Sequence, residues 1–174
     1  ILSVFDQKRG EWEKDCIYQP WLVEHEGTYY NLYNAANGQV EQLGVAISED
    51  LYQWKRSDQN PVIPVGPKGS YNEVFSSDIK VFWDGDHWTG FFFGVGKEGA
   101  HIMLAFSTDL LHWTVNPEPI YKAGGNPSGL DRQYAHKISL VWNPKNETYY
   151  MFYNAVGDQG RGIGLITSKP LDHK

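Results

Sequence analysis

Asp78 stands in the run Phe75-Ser76-Ser77-Asp78-Ile79-Lys80-Val81-Phe82-Trp83, where its neighbours are mostly apolar. An unpaired carboxylate in such a strand is expensive, so Asp78 either meets something functional or pairs with a basic neighbour such as Lys80. Glu73, just upstream, has the chemistry of a general acid at a rim, against the blander reading of a solvated loop glutamate. Glu13 and Asp131 are rim carboxylates that either bind a ligand or cap the turns beside them. On the cationic side, His136 and Lys137 can hold an anion, a central water or a cation, the alternative being a structural histidine beside a salt bridge, and Arg132 joins them as a cationic cluster beside Asp78. Trp12, Tyr18 and Trp21 offer flat faces for stacking, although most of the seven tryptophans belong to packing.

The elements that position these residues repeat. Ser48-Glu49-Asp50-Leu51-Tyr52-Gln53-Trp54 returns as Ser107-Thr108-Asp109-Leu110-Leu111-His112-Trp113, 59 residues on. Thr28-Tyr29-Tyr30-Asn31-Leu32-Tyr33-Asn34-Ala35 returns as Thr148-Tyr149-Tyr150-Met151-Phe152-Tyr153-Asn154-Ala155, 120 residues on. A period of that size marks an array of similar units, here over about 10–60, 69–118 and 129–174. The turn Asn143-Pro144-Lys145-Asn146 makes the third copy two residues longer than the second at that point, where insertions belong. Alignment places Tyr18, Ser77 and His136 in one tier and Gln19, Asp78 and Lys137 in the next, with Glu13, Asn72 and Asp131 just before them. Asp50 and Asp109 recur with the repeat and read as turn formers, and Trp54 and Trp113 as core.

The 174 residues carry 41% hydrophobic and 15% aromatic side chains, enough for a packed core. A net charge of −6 and a pI near 5.4 lack the basic stripe that nucleic acid or an anionic membrane needs, and no apolar run approaches the roughly 20 residues of a spanning helix. Neither is an expected partner. The single cysteine, Cys16, excludes an internal disulfide and a multi-cysteine metal site. The chain opens on Ile1 with no secretory leader in view, which leaves the compartment undecided between cytoplasm and export.

Tyr, Phe, Trp, Val and Ile dominate short runs separated by Gly, Asn and Asp, and no stretch of ten residues keeps a helical apolar period. The fold is expected to be all-β. Four antiparallel strands repeated radially are the plan of a β-propeller, with the first strand of each blade lining a central channel. Cys16 to Val23, Tyr29 to Ala35, Gln42 to Ser48 and Tyr52 to Arg56 are the four strands expected of the first copy. Ile1 to Phe5 resemble the tail of an absent unit, and Pro170 and Lys174 stand where Asp109 and Trp113 would recur. Three blades do not close a ring, so the expectation is further blades of a longer propeller, a homodimer that completes it, or an open wedge whose edges a partner covers.

Together, the Gly10-Glu11-Trp12-Glu13 and Gly69-Ser70-Tyr71-Asn72 openings, the inner-strand Ser77-Asp78, the aromatic hairpin strands and the S-x-D-L-x-x-W pattern resemble the five-bladed propeller glycosidases of families 43 and 32 and the related family 130 mannoside phosphorylases. The resemblance implies a glycoside hydrolase acting on plant or microbial oligosaccharides, with its site at the funnel where inner strands begin. Glycoside hydrolysis ordinarily needs two carboxyl groups about 5 to 9.5 Å apart. Under the resemblance Asp78, Glu73 and Asp131 are the catalytic candidates, and Glu13, Trp12, Tyr18, Gln19, Arg132, His136 and Lys137 the substrate-binding ones. Gln19 and Lys137 depart from the family pattern, which expects acidic residues in those blades. One carboxylate beside a cationic cluster suits a glycoside phosphorylase as the alternative; a non-catalytic glycan-binding propeller and an interaction scaffold stay open as well. No cofactor and no metal ligand set are expected, with a structural cation near the channel left open.

Overall fold

The computed structural model describes residues 2–3 and 9–170. The Ile1 to Phe5 correspondence, apart from residues 2 and 3, and the one at Lys174 lie outside the described residues. After a single 3₁₀ turn at Glu11–Glu13, the first group of strands is β1 (Cys16–His25), β2 (Thr28–Ala36), β3 (Glu41–Ser48) and β4 (Lys55–Arg56). The middle group is β5 (Phe75–Trp83), β6 (Trp88–Gly96), β7 (Gly99–Ser107) and β8 (Thr114–Val115). The third is β9 (Tyr134–Asn143), β10 (Thr148–Gly157) and β11 (Gly160–Thr167). Pairing within each group is antiparallel between sequence neighbours, because aromatic and β-branched strands alternate with tight turns. At the β1–β2 turn Glu26 and Gly27 both have positive φ, 51° and 78°, the conformation whose twist suits a two-residue hairpin.

Adjacent groups are joined through one parallel residue pair each, Glu41 with Phe75 and Ala100 with Tyr134. The rest of the contact is face against face, as between the blades of a β-propeller. Leu32, Leu43 and Val45 of the first group pack on Ile79, Val81, Trp88 and Phe92 of the middle one. Ile102 of the middle group packs with Ala135, Ile138, Met151 and Tyr153 of the third. Each fully buried side chain of this size stabilises the fold by about 1.5–3 kcal/mol relative to exposure.

The recurring S-x-D-L-x-x-W pattern is a turn device. Ser48 Oγ accepts the Leu51 amide at 2.9 Å, Asp50 Oδ1 accepts those of Tyr52 and Gln53 at 2.9 and 2.7 Å, and the Trp54 indole donates to the Leu51 carbonyl at 3.0 Å. Ser107, Asp109 and Trp113 repeat these bonds. Because the turn captures those amides, the expected strand Tyr52 to Arg56 shrinks to the two residues of β4. In the third group the longer turn extends the ladder by one pair, Asn143 with Thr148.

Each inner strand carries one extra residue at the same point. Between Tyr18 and Trp21, between Ser77 and Lys80, and between His136 and Ile138 the inner strand advances one residue more than its partner. The residue that absorbs the bulge is left-handed in every case: Gln19 (φ 52°), Asp78 (φ 54°) and Lys137 (φ 52°). A bulge bends its strand and re-aims a side chain, and holding three non-glycine residues there costs free energy that packing must offset.

Candidate functional site

The bulged tier borders a cleft of about 260 Å³, open where the inner strands begin. Its polar walls are Tyr18, Gln19, Glu41, Ser77, Tyr134, His136 and Lys137, over an apolar floor that includes Phe75 and Phe93. The parallel junctions put it there, since Glu41, Phe75, Ala100 and Tyr134 form those junctions and all line it.

Asn34, wholly buried, holds the cleft's first wall together. Its Nδ2 lies 2.5 Å from Gln19 Oε1, 2.7 Å from Glu41 Oε1 and 2.5 Å from Ser77 Oγ, and its Oδ1 accepts the Asp78 amide at 2.8 Å. An amide has two hydrogens for these three neighbours, so the Ser77 hydroxyl is the one free to turn toward a ligand. Burial, and then the adjacent Glu41 carboxylate, push the Tyr18 phenol far above its ordinary range. Glu41 is 7% exposed and is the one carboxylate lining the cleft among the described residues.

Asp78 is 6% exposed, and its Oδ1 accepts from Lys80 Nζ at 2.6 Å. Lys80 also lies 5.1 Å from the centre of the Trp21 ring. Of the two roles open to Asp78, the local ion pair is therefore present. Its charge still acts on His136. Burial first, with the charges of Lys137 and Arg161 behind it, lowers the His136 pKa against the opposing pull of the Asn154 carbonyl and Asp78. His136 is neutral at pH 7, its Nδ1 donating to the Asn154 carbonyl at 3.0 Å and its ring meeting Phe93 edge-on at 5.4 Å.

The remaining candidates lie elsewhere. Glu13, 1% exposed, accepts from the Gly10 amide, the Tyr33 hydroxyl and Arg56 Nε at 3.0, 3.0 and 2.7 Å. Asp131, 0% exposed, accepts from the Tyr121 and Tyr153 hydroxyls at 2.7 and 2.8 Å and from the Asn126 amide at 3.2 Å. Neither lines the cleft, and the oxygens of both are occupied by strand and loop donors. Trp12 stacks on Tyr33 at 5.9 Å, inside the first group. Glu73 closes the local turn by accepting the Gly69 amide at 2.6 Å. Arg132 pairs with Asp158 at 2.5 Å on a separate exposed groove. Among the described residues, Asp84, Asp86 and His87 form a cluster of metal-ligand type, but at the β5–β6 turn, the far end of the inner strand from the cleft.

Sequence reading passed over Glu41, Asn34 and Tyr134 as site residues. Glu41 did leave a trace: its repeat counterparts, set by pairing with Ala36, Val95 and Val156, are Ala100 and Arg161. A charged residue where the middle copy keeps alanine has no packing reason to be there.

No protein-family model matches the chain, and no curated protein does. Solved structures do. A glycoside hydrolase superposes with TM-score 0.80 over 100% of this chain and 52% of its own, at 25% identity. The BT0996 RGII complex superposes with TM-score 0.80 over 99% of this chain and 51% of its own, also at 25% identity. Fructan 1-exohydrolase IIa from Cichorium intybus gives 0.71 over 87% of this chain and 30% of its own at 17% identity, a likeness of fold. The chain resembles the propeller glycoside hydrolases and has their all-β blade architecture; it spans about half the length of the first two of these structures. No helix in the described residues is long and apolar enough to cross a membrane.

Proposed function

We propose that this chain builds the substrate cleft of a propeller glycoside hydrolase, with Glu41 facing the sugar and Asp78 as the second carboxylate. The observation that carries the reading is Asn34, which bonds the Glu41 side chain and the Asp78 backbone at once and so fixes the two acids in one frame. The 25% identity to a solved glycoside hydrolase over the whole chain supports the same class. A glycosidic bond breaks through a transition state with developing positive charge, which a fixed carboxylate stabilises more than it stabilises the neutral sugar. Gln19, Ser77 and His136 Nε2 are positioned to bond ring hydroxyls. The described strands form an open array, so closing the funnel falls to further strand groups of a longer chain or to a second copy.

One observation favours a second reading, sugar binding without turnover. Lys80 neutralises Asp78, so a single unpaired carboxylate is left to act.

The test is turnover and binding on a panel of arabinosides, xylosides, fructosides and mannosides. Glu41→Gln keeps the shape of the side chain, and turnover is expected to fall by several orders of magnitude with melting unchanged. Asp78→Asn leaves the Lys80 ammonium without its carboxylate and is expected to cost about 3–5 kcal/mol of stability. Binding that is retained while the unaltered protein turns over no glycoside on the panel selects the second reading. Binding and turnover indifferent to Glu41→Gln would sink both.

A further inference from the structure

The two walls of the cleft carry opposite charge. On the first, Glu41 stands at the start of β3; on the other stands Lys137, while Arg161, which holds Glu41's place in the third group, lines the separate groove of Arg132. Lys137 occupies on β9 the bulge position that Gln19 and Asp78 hold on β1 and β5. The charge of Asp78 is cancelled within its own strand by Lys80, two residues on. The corresponding residue after Lys137 is Ser139, which has no charge to offer. Among the described residues neither Lys137 nor Arg161 forms an ion pair, in a chain whose net charge is −6. Lys137 is therefore an uncompensated cation at the lip of the open cleft. Their field reaches the cleft interior, because both charges act on His136.

We propose that Lys137 is the anchor for the carboxylate of a uronic-acid sugar, a substrate class that deepens the glycoside reading of the cleft and rests on it. The geometry admits one orientation. Glu41 repels a second carboxylate from the first wall, so the acidic group of the sugar faces Lys137 and its neutral hydroxyls face Gln19, Ser77 and Glu41. His136, neutral and fixed by the Asn154 carbonyl through Nδ1, turns Nε2 toward a hydroxyl as an acceptor, and the ammonium of Lys137 is left for the anion. A charge-assisted bond of this kind exceeds a neutral one by enough to give about a tenfold preference.

Calorimetric or NMR titration at low salt with galacturonic and glucuronic acids, beside galactose and glucose as their neutral counterparts and inorganic phosphate, tests this. Uronates are expected to bind about tenfold more tightly than the neutral sugars, and Lys137→Gln to erase that margin. Equal affinity for acid and neutral sugar, or a uronate margin that survives Lys137→Gln, overturns the proposal. Phosphate binding through Lys137 without a uronate margin also overturns it, in favour of a free oxyanion. If neutral sugars bind and depend on Glu41 but uronates gain nothing, this inference alone falls. If no sugar of either kind binds, the glycoside reading falls with it.

Discussion

The openings of the first and third strand groups differ from that of the middle group in three linked residues. Glu13, Tyr33 and Gly44 in the first correspond to Asp131, Tyr153 and Gly164 in the third, whereas the middle group has Asn72, Phe92 and Met103. In the outer two, the tyrosine hydroxyl reaches back to a buried carboxylate. It does so because glycine stands opposite on the next strand: a Cβ at Gly164 would collide with the Tyr153 ring, and one at Gly44 would lie 3.0 Å from the Tyr33 ring. In the middle group Met103 fills that space, Phe92 has no hydroxyl, and Asn72 bonds Ser70 and Ser76 instead, at 3.2 and 3.0 Å. The lesson concerns Glu13 and Asp131. Their type alone advertises chemistry, but their partners change in step with them, which is how a packing unit behaves.

The largest effect that would break this comparison is at Asp131. Asp131→Ala removes the acceptor shared by the buried Tyr153 hydroxyl, the half-buried Tyr121 hydroxyl and an amide, and is expected to cost about 3 kcal/mol or more in urea unfolding. Asn72→Ala is expected to cost clearly less, since it removes two neutral side-chain bonds and leaves Ser76 bonded to the Pro64 carbonyl; equal losses would erase the distinction. Next is Gly164→Ala, which forces the Tyr153 ring aside and is expected to cost about 1–3 kcal/mol, while Met103→Leu in the middle group stays below about 1.5 kcal/mol. Thermal melting of the two variants side by side reads the difference.

The smallest effect lies in the shared turn. Burial pushes Asp109 up, yet the His112 side chain, the His112 and Leu111 amides and Ser107 together hold it at about 2. Asp50 is lowered as well, by the Gln53 and Tyr52 amides, with Gln53 in the place of His112. A depressed carboxylate stabilises the fold above its unfolded pKa, about 3.9, and that contribution is lost as pH falls through the folded value near 2. Acid titration followed by NMR is expected to show Asp109 protonating near pH 2, and His112→Gln to raise its midpoint. An unchanged midpoint would assign the depression to the backbone amides and Ser107.

Local rules made much of the fold legible in the chain. Alternation of aromatic runs with Gly, Asn and Asp turns marked the strands, and because each group repeats the same local solution, the 59-residue shift applied twice puts Gln19, Asp78 and Lys137 in one tier. The S-x-D-L-x-x-W turn was legible for the same reason, since its bonds span three residues or fewer. What each carboxylate does was decided by tertiary structure. Glu13, Glu73 and Asp131 resemble rim acids until their donors are seen, and those donors include residues 20 and 22 positions away. Glu41 looks like an ordinary strand residue until the parallel junction with Phe75 turns it into the cleft and Asn34 ties it to β5. A carboxylate's chemistry depends on which charges and donors lie within a few ångströms, and in an array of sheets those neighbours come from the adjoining group, at separations no local pattern encodes.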